Sequence, residues 1–270
     1  MITVNRKPVE FKYFNDGACF LEYLTPEVKD LNITWLYEYD EEIVHLMYLA
    51  KHLRAHASKN QNINLYMPYI VNARQDRVKK EDDVFTLKYF AEFINSLHFD
   101  EVRVYDPHSV VSEALFDNLV IERPYTEIDA IMNCYPDATV FFPDDGAMKR
   151  YKEYVSGHRF GYGVKTRNWE TKEIESLQPV INPKDVAGHD IVIIDDICGV
   201  GSTICKAAQQ LKQMGAQNIY VWVSHCENTV LKPNFKEGSL LDIPNLITKL
   251  YTTDSILISE HPKIEVIKYF

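Results

Sequence analysis

"IVIIDDICGVGSTI", Ile191 to Ile204, decides the fold. Four apolar residues run into two adjacent carboxylates, then into a loop punctuated by Gly199 and Gly201, then into a helical pattern that opens with Ser202 and Thr203. A buried strand that feeds a glycine turn and a helix is one βα unit. The glycines let the backbone turn tightly where free N–H groups and the positive end of a helix dipole favour an anion. Ser202 and Thr203 add hydroxyls that can donate to that anion or cap the helix. Asp195 and Asp196 would repel a phosphate, but they can accept hydrogen bonds from vicinal hydroxyls, as on a ribose. A phosphorylated sugar satisfies both halves of the stretch. Alone, such a loop is ordinary in α/β proteins and assigns no function.

Outward from this unit, short apolar runs alternate with helical patterns. "NITWLYEY" reads as a strand and is followed by a helix in which Ile43, Leu46, Met47, Ala50 and Leu53 share one face. The cycle continues through "NINLYMPYI", "EVRVYDPH", "ATVFFPDD", "RFGYGVKTR", "HDIVIIDD" and "NIYVWVSH" as strands, with helices between most of them. Gly215, after the helix that starts at Ser202, suits a C′ position with positive φ. The expected class is α/β, with mainly parallel sheets flanked by helices. Two successive rounds of strand and helix predict two similar halves, residues 1–137 and 138–270, cut near Asp137.

The chain has 270 residues, 46% hydrophobic, enough for a full core. Lys and Arg number 29 against 39 Asp and Glu, a net charge of -10, which argues against sequence-independent binding to nucleic acid or an anionic membrane surface. Any anionic ligand must be met locally. Five cysteines without a CxxC pair argue against a disulfide framework or a zinc site. No apolar window of signal-peptide or membrane-span length is present, so a soluble, cytoplasmic protein is expected.

In sheets of this kind ligands bind beyond the carboxyl ends of the strands, and polar residues collect there. Lys165 and Arg167, two apart near a strand end, could point to the same side and neutralise a polyphosphate. His108 and Asp144 could hold a hard cation, since Mg²⁺ takes only one or two protein ligands. "ARQDR" offers Arg74, Gln75 and Arg77 for nucleotide phosphate and base contacts. Each of these, alone, is as readily a capping residue or a solvated ion pair.

Together and in order, "YFNDG", "YMPYIVNARQDR", "VYDPHSVVSEALFD", "FPDDGAMKR", "VKTR", "IIDDICGVGST", "GAQNIYVWVSH" and "TTDSI" resemble the ribose-phosphate pyrophosphokinases, relatives of the type I phosphoribosyltransferases. The resemblance spans roughly residues 11 to 258. It implies two phosphoribosyltransferase-like halves and transfer of the β,γ-diphosphate of ATP to the anomeric hydroxyl of ribose 5-phosphate, releasing AMP. It further implies that Phe14, Asp16, Arg74, Gln75 and Arg77 hold ATP, partly from a neighbouring subunit, and that His108 and Asp144 hold Mg²⁺. Lys165 and Arg167 would lie on a mobile loop and stabilise the transferring group. Asp195 and Asp196 would hold the ribose hydroxyls, and Gly199, Val200, Gly201, Ser202 and Thr203 the 5-phosphate. The implied partners are small molecules and further copies of the chain.

The sequence departs from the family in places. The family's loop usually reads Asp-Asp-x-x-Asp-Thr-Gly/Ala-Gly-Thr, and here Gly199 stands for the third acid, Val200 for its neighbouring threonine and Ser202 for the later glycine. Loss of a carboxylate and a hydroxyl with a gain of space suits an acceptor that continues beyond its 5-phosphate, so the terminal ribose of ADP-ribose, in NAD salvage, is an alternative acceptor. Ala18 replaces a glutamate expected after "FNDG", and "VKKEDD" follows "ARQDR" in place of an arginine-rich segment, which puts the family's hexamer and allosteric control in question. A smaller homo-oligomer is expected. Two other readings compete: a phosphoribosyltransferase, which would not need the N-terminal half, and a non-catalytic regulatory homologue, which would not need the whole transfer set. No nucleophile is required for this chemistry, so Cys198 is expected to be a small filler.

Overall fold

Leu31, Ile33 and Trp35 alternate along the strand Asp30–Trp35 and are fully buried, as expected for a strand with its apolar side on a core. They belong to the first of two units, Met1–Arg123 and Pro124–Tyr269, in the computed structural model, which describes residues 1–167 and 174–268. The division falls at Arg123/Pro124, upstream of the break expected near Asp137. The reason is the helix Tyr125–Cys134, whose Ile128, Ile131 and Met132 pack with Val140, Phe142 and Trp222 of the second unit.

The first unit contains β1 (Ile2–Val4), β2 (Lys7–Pro8), β3 (Lys12–Tyr13), β4 (Cys19–Phe20), β5 (Asp30–Trp35), α1 (Glu42–His56), β6 (Asn62–Tyr66), α2 (Thr86–Asn95), β7 (Glu101–Tyr105), α3 (Ser112–Leu115) and β8 (Leu119–Glu122). Among the described residues its sheet runs β2-β1-β5-β6-β7-β8, with β5 to β8 parallel and β1 antiparallel to both neighbours. Leu46, Leu49, Ala50 and Leu53 of α1 are buried on this sheet's core, with Ile43 and Met47 partly covered at its margin. β3 and β4 form a separate short antiparallel hairpin.

In the second unit, α4 (Tyr125–Cys134), β9 (Thr139–Phe142), α5 (Asp145–Tyr151), β10 (Phe160–Arg167), β11 (Ile174–Val180), β12 (Ile191–Cys198), α6 (Ser202–Gln213), β13 (Ile219–Cys226), β14 (Lys249–Thr253) and β15 (Ile264–Ile267) follow in turn. The sheet order is β11-β10-β9-β12-β13-β14-β15, parallel except for the edge strand β11. β12 reads as a continuous apolar run because both of its faces are covered. Ile191 and Ile193 pack with Ile204, Ala207, Ala208 and Leu211 of α6, while Val192 and Ile194 pack with α4 and with Ala147 and Tyr151 of α5. Burying each such aliphatic side chain contributes about 1.5–3 kcal/mol.

α6 ends as its sequence predicts. Met214 caps it, Gly215 follows at φ 92°, and the N–H groups of Gly215 and Ala216 donate to Lys212 O and Leu211 O. This paired closure needs a left-handed residue that glycine adopts without strain.

Candidate active site

β12 does not stop at the paired aspartates. It runs on to Cys198, with Ile197 in register with His225 and Cys198 with Cys226 of β13, so Asp195 and Asp196 lie inside the strand and the loop begins at Gly199. The register continues because Cys198 and Cys226 are both buried apolar fillers. The hydrogen bond to Cys226, with burial, pushes the Cys198 thiol well up, away from a reactive thiolate.

The carboxyl ends of β9, β10 and β12 bring four charged groups together. Asp144, two residues after the end of β9, caps α5: its Oδ1 accepts from Ala147 N at 2.9 Å. Its Oδ2 accepts from Lys165 Nζ at 2.7 Å. Burial pushes the Asp144 carboxyl up, but the Lys165 ammonium and the Ala147 N–H outweigh that and hold it below its ordinary value. Asp196 pairs with Arg150 of α5 at 3.1 Å, and both side chains are largely covered. Asp195 is pushed well above the carboxylate range, first by burial, then by the charges of Asp196 and Asp144, with Lys165 pulling the other way.

Lys165 therefore sits in a paired strand, opposite Leu177 of β11, rather than on a mobile loop. The backbone register shifts between Thr166 and Arg167. The backbone of Arg167 ends β10, and its side chain lies outside the described residues, as do residues 168–173.

Only one of the loop's two glycines is there for its backbone. Gly201 is the N-cap of α6 at φ 83°, and a Cβ there would come within 2.5 Å of Leu240 Cδ2. Gly199 has no left-handed backbone. A Cβ there would meet the Glu227 carboxylate, with Oε2 at 3.2 Å. Ser202 and Thr203 occupy the first turn of α6, but neither hydroxyl caps it. The first-turn N–H groups therefore lack a side-chain cap from this loop, as an anion site requires.

The residues expected to hold ATP all lie in the first unit. Phe14 is exposed beside the β3–β4 hairpin and stacks on Phe20 at 4.4 Å. Asp16 shapes the turn by accepting from Ala18 N at 3.0 Å. Arg74 is exposed, and Gln75 Oε1 accepts from Thr86 at 2.6 Å. Sequence reasoning passed over Asp76, which is buried and grips Arg77 with both oxygens, at 2.7 and 2.8 Å, while accepting from Ser109 at 2.7 Å. Arg77 foremost, with Ser109, outweighs burial and brings the Asp76 carboxyl down to about 2. Asp76 thus ties "ARQDR" to the segment that carries His108, a link that no spacing in the sequence announces. Arg150 was likewise missed as the partner of Asp196.

His108 belongs to the first unit and Asp144 to the second. Among the described residues, no group of three or more His, Cys, Asp or Glu side chains is arranged to hold a metal ion. The carboxylates of the second unit suit a hard cation in kind, since Mg²⁺ prefers oxygen ligands. Such an ion would keep water or phosphate oxygens for most of its shell.

Comparison with known proteins agrees with this architecture. A phosphoribosyl transferase domain matches residues 160–238. The chain is 27% identical over 268 residues to a ribose-phosphate pyrophosphokinase of Pyrococcus abyssi, covering 97% of this chain and 88% of that one. It is 29% identical over 235 residues to ribose-phosphate pyrophosphokinase 2 of Archaeoglobus fulgidus, covering 82% and 78%. The fold matches the crystal structure of the phosphoribosylpyrophosphate synthetase from Mycobacterium smegmatis with a TM-score of 0.77 at 18% identity, over 96% of this chain and 85% of that one.

Proposed function

We propose that this chain, a divergent member of the ribose-phosphate pyrophosphokinase family, transfers the β,γ-diphosphate of ATP to the anomeric hydroxyl of a 5-phosphorylated ribose and releases AMP. The observation that carries the reading is the grouping of Asp144, Lys165, Asp195 and Asp196 at the strand ends beside the start of α6. The anomeric oxygen attacks the β-phosphorus, the bond from that phosphorus to the bridging oxygen of AMP breaks, and the hydroxyl proton leaves to solvent. This chemistry needs alignment and charge neutralisation more than a covalent intermediate.

Asp195 and Asp196 accept from the ribose hydroxyls, and Arg150 fixes the second of them. The first-turn N–H groups of α6, with Ser202 and Thr203, receive the 5-phosphate. Lys165, with Arg167, neutralises the transferring group, which it contacts more strongly as charge develops. Phe14, Asp16, Arg74, Gln75 and Arg77 bind ATP. In the second unit Asp144 would hold Mg²⁺, which would supply further neutralisation of the phosphates; in the first unit His108 is the candidate ligand that the family resemblance names.

Ribose 5-phosphate is the first acceptor to expect from the family. ADP-ribose is the second, because Val200 offers no hydroxyl to a terminal phosphate. AMP release with Mg²⁺ and ATP, with no acceptor, ribose 5-phosphate or ADP-ribose, tests both. AMP that requires either acceptor supports diphosphoryl transfer, and the larger kcat/KM names the acceptor; AMP from neither removes the proposal.

A further inference from the structure

We infer that Glu227 returns to the ribose-phosphate loop the carboxylate that Gly199 lacks, and that it binds the ribose acceptor. This rests on the diphosphoryl-transfer reading but not on which acceptor is used, since both present the same ribose. Glu227 directly follows β13, the strand paired with β12, and its backbone N–H donates to Cys198 O at 2.8 Å. That bond fixes the start of the Glu227 side chain directly across from the loop. Thr229 then holds the other end, its hydroxyl donating to Oε2 at 2.9 Å.

The result is a carboxylate whose Oε2, Cδ and Oε1 lie 3.2, 3.4 and 3.6 Å from where a Cβ of residue 199 would stand. An aspartate at 199 would put its own carboxylate into that space. The two residues are therefore alternatives: either 199 is acidic, or it is glycine and 227 supplies the acid. The space beside Gly199 is not empty, because the Glu227 carboxylate stands in it. A carboxylate accepts hydrogen bonds and donates none, so at this place it suits a sugar hydroxyl and not the phosphate itself.

The alternation predicts sign epistasis between 199 and 227. Glu227→Leu should lower kcat/KM for the acceptor by about 10- to 100-fold, as loss of one charged hydrogen bond does, with KM for ATP unchanged. Gly199→Asp alone should also be impaired, because two carboxylates compete for one space. The double variant Gly199→Asp/Glu227→Leu should recover acceptor kcat/KM to within a few-fold of wild type. Glu227→Gln, which keeps shape and the Thr229 hydrogen bond, controls for folding: it should show the acceptor defect with an unchanged melting temperature. Titration calorimetry of ribose 5-phosphate and of ADP-ribose gives a readout independent of turnover. An inactive wild type whose sugar affinity still falls in Glu227→Gln would overturn the proposed reaction and keep this inference. Unchanged acceptor kinetics and affinity in Glu227→Gln, or a double variant no better than Glu227→Leu, would overturn the inference itself.

Discussion

Arg150 Nη1 lies 3.1 Å from Asp196 Oδ2, an ion pair largely withdrawn from solvent that joins α5 to β12. Removing one partner of a buried pair leaves the other charge uncompensated, which commonly costs about 3–5 kcal/mol. Arg150→Met should therefore lower the midpoint of denaturant unfolding markedly. Adding Asp196→Asn should restore part of that stability while leaving the enzyme impaired. A double variant no more stable than the single one would show that the pair is not the source of the effect.

In the proposed reaction Lys165 neutralises the transferring group; its side chain is only 9% exposed and pairs with Asp144. Lys165→Ala should reduce kcat by about 10²–10³-fold, the usual cost of losing one preorganised electrostatic contact to the transition state. Fluorescent nucleotide binding should change little. Unaltered turnover would remove Lys165 from the transfer step.

Asp195 carries a stability cost. Its carboxyl is raised well above 3.8 when folded, so the native state binds its proton more tightly than the unfolded state does. The associated stability is full below the unfolded value and is lost as pH rises through the folded one. Asp195→Asn should therefore melt higher than wild type at neutral pH and show a weaker fall of melting temperature with rising pH. Its acceptor kinetics should collapse, the trade-off expected at a strained functional site. A variant that melts lower at neutral pH would contradict this assignment.

Asp76 titrates in the opposite sense. Its carboxyl falls to about 2 beside Arg77 and Ser109, against 3.8 for the free group. Its contribution is present above 3.8 and is lost as pH falls towards 2. Asp76→Asn should flatten the acid limb of a melting-temperature profile between those values and raise KM for ATP, because Arg77 loses its anchor. An acid limb identical to wild type would mean that the Arg77 contact is screened away by solvent.

Much of this architecture is legible in the sequence because the parallel strands are covered on both faces. Ile191 to Ile194 and Ile219 to Val223 are apolar without interruption, and Gly215 marks its helix end. The edge strands β2, β8, β11 and β15 and the β3–β4 hairpin carry no comparable pattern, since two to seven residues at a margin need little apolar content, and β1 and β14, though paired on both sides, are only three and five residues long. The contents of the site were legible as residue types but not as partnerships. Asp195, Asp196, Asp144 and Lys165 stand out at strand ends, whereas the links from Arg150 to Asp196, from Asp76 to Ser109 and from Glu227 to Gly199 depend on chain segments that only the fold brings together. Gly199 is the sharpest case: only the fold brings the Glu227 carboxylate, just after β13, to 3.2 Å from where its Cβ would stand.

Diphosphoryl transfer can be followed with ATP radiolabelled in its β-phosphate, with Mg²⁺ and each ribose acceptor. The label should move into the sugar product in a one-to-one ratio with AMP, and the product should gain a diphosphate by mass. Label recovered in ADP or in free phosphate, with the acceptor unchanged, would contradict it.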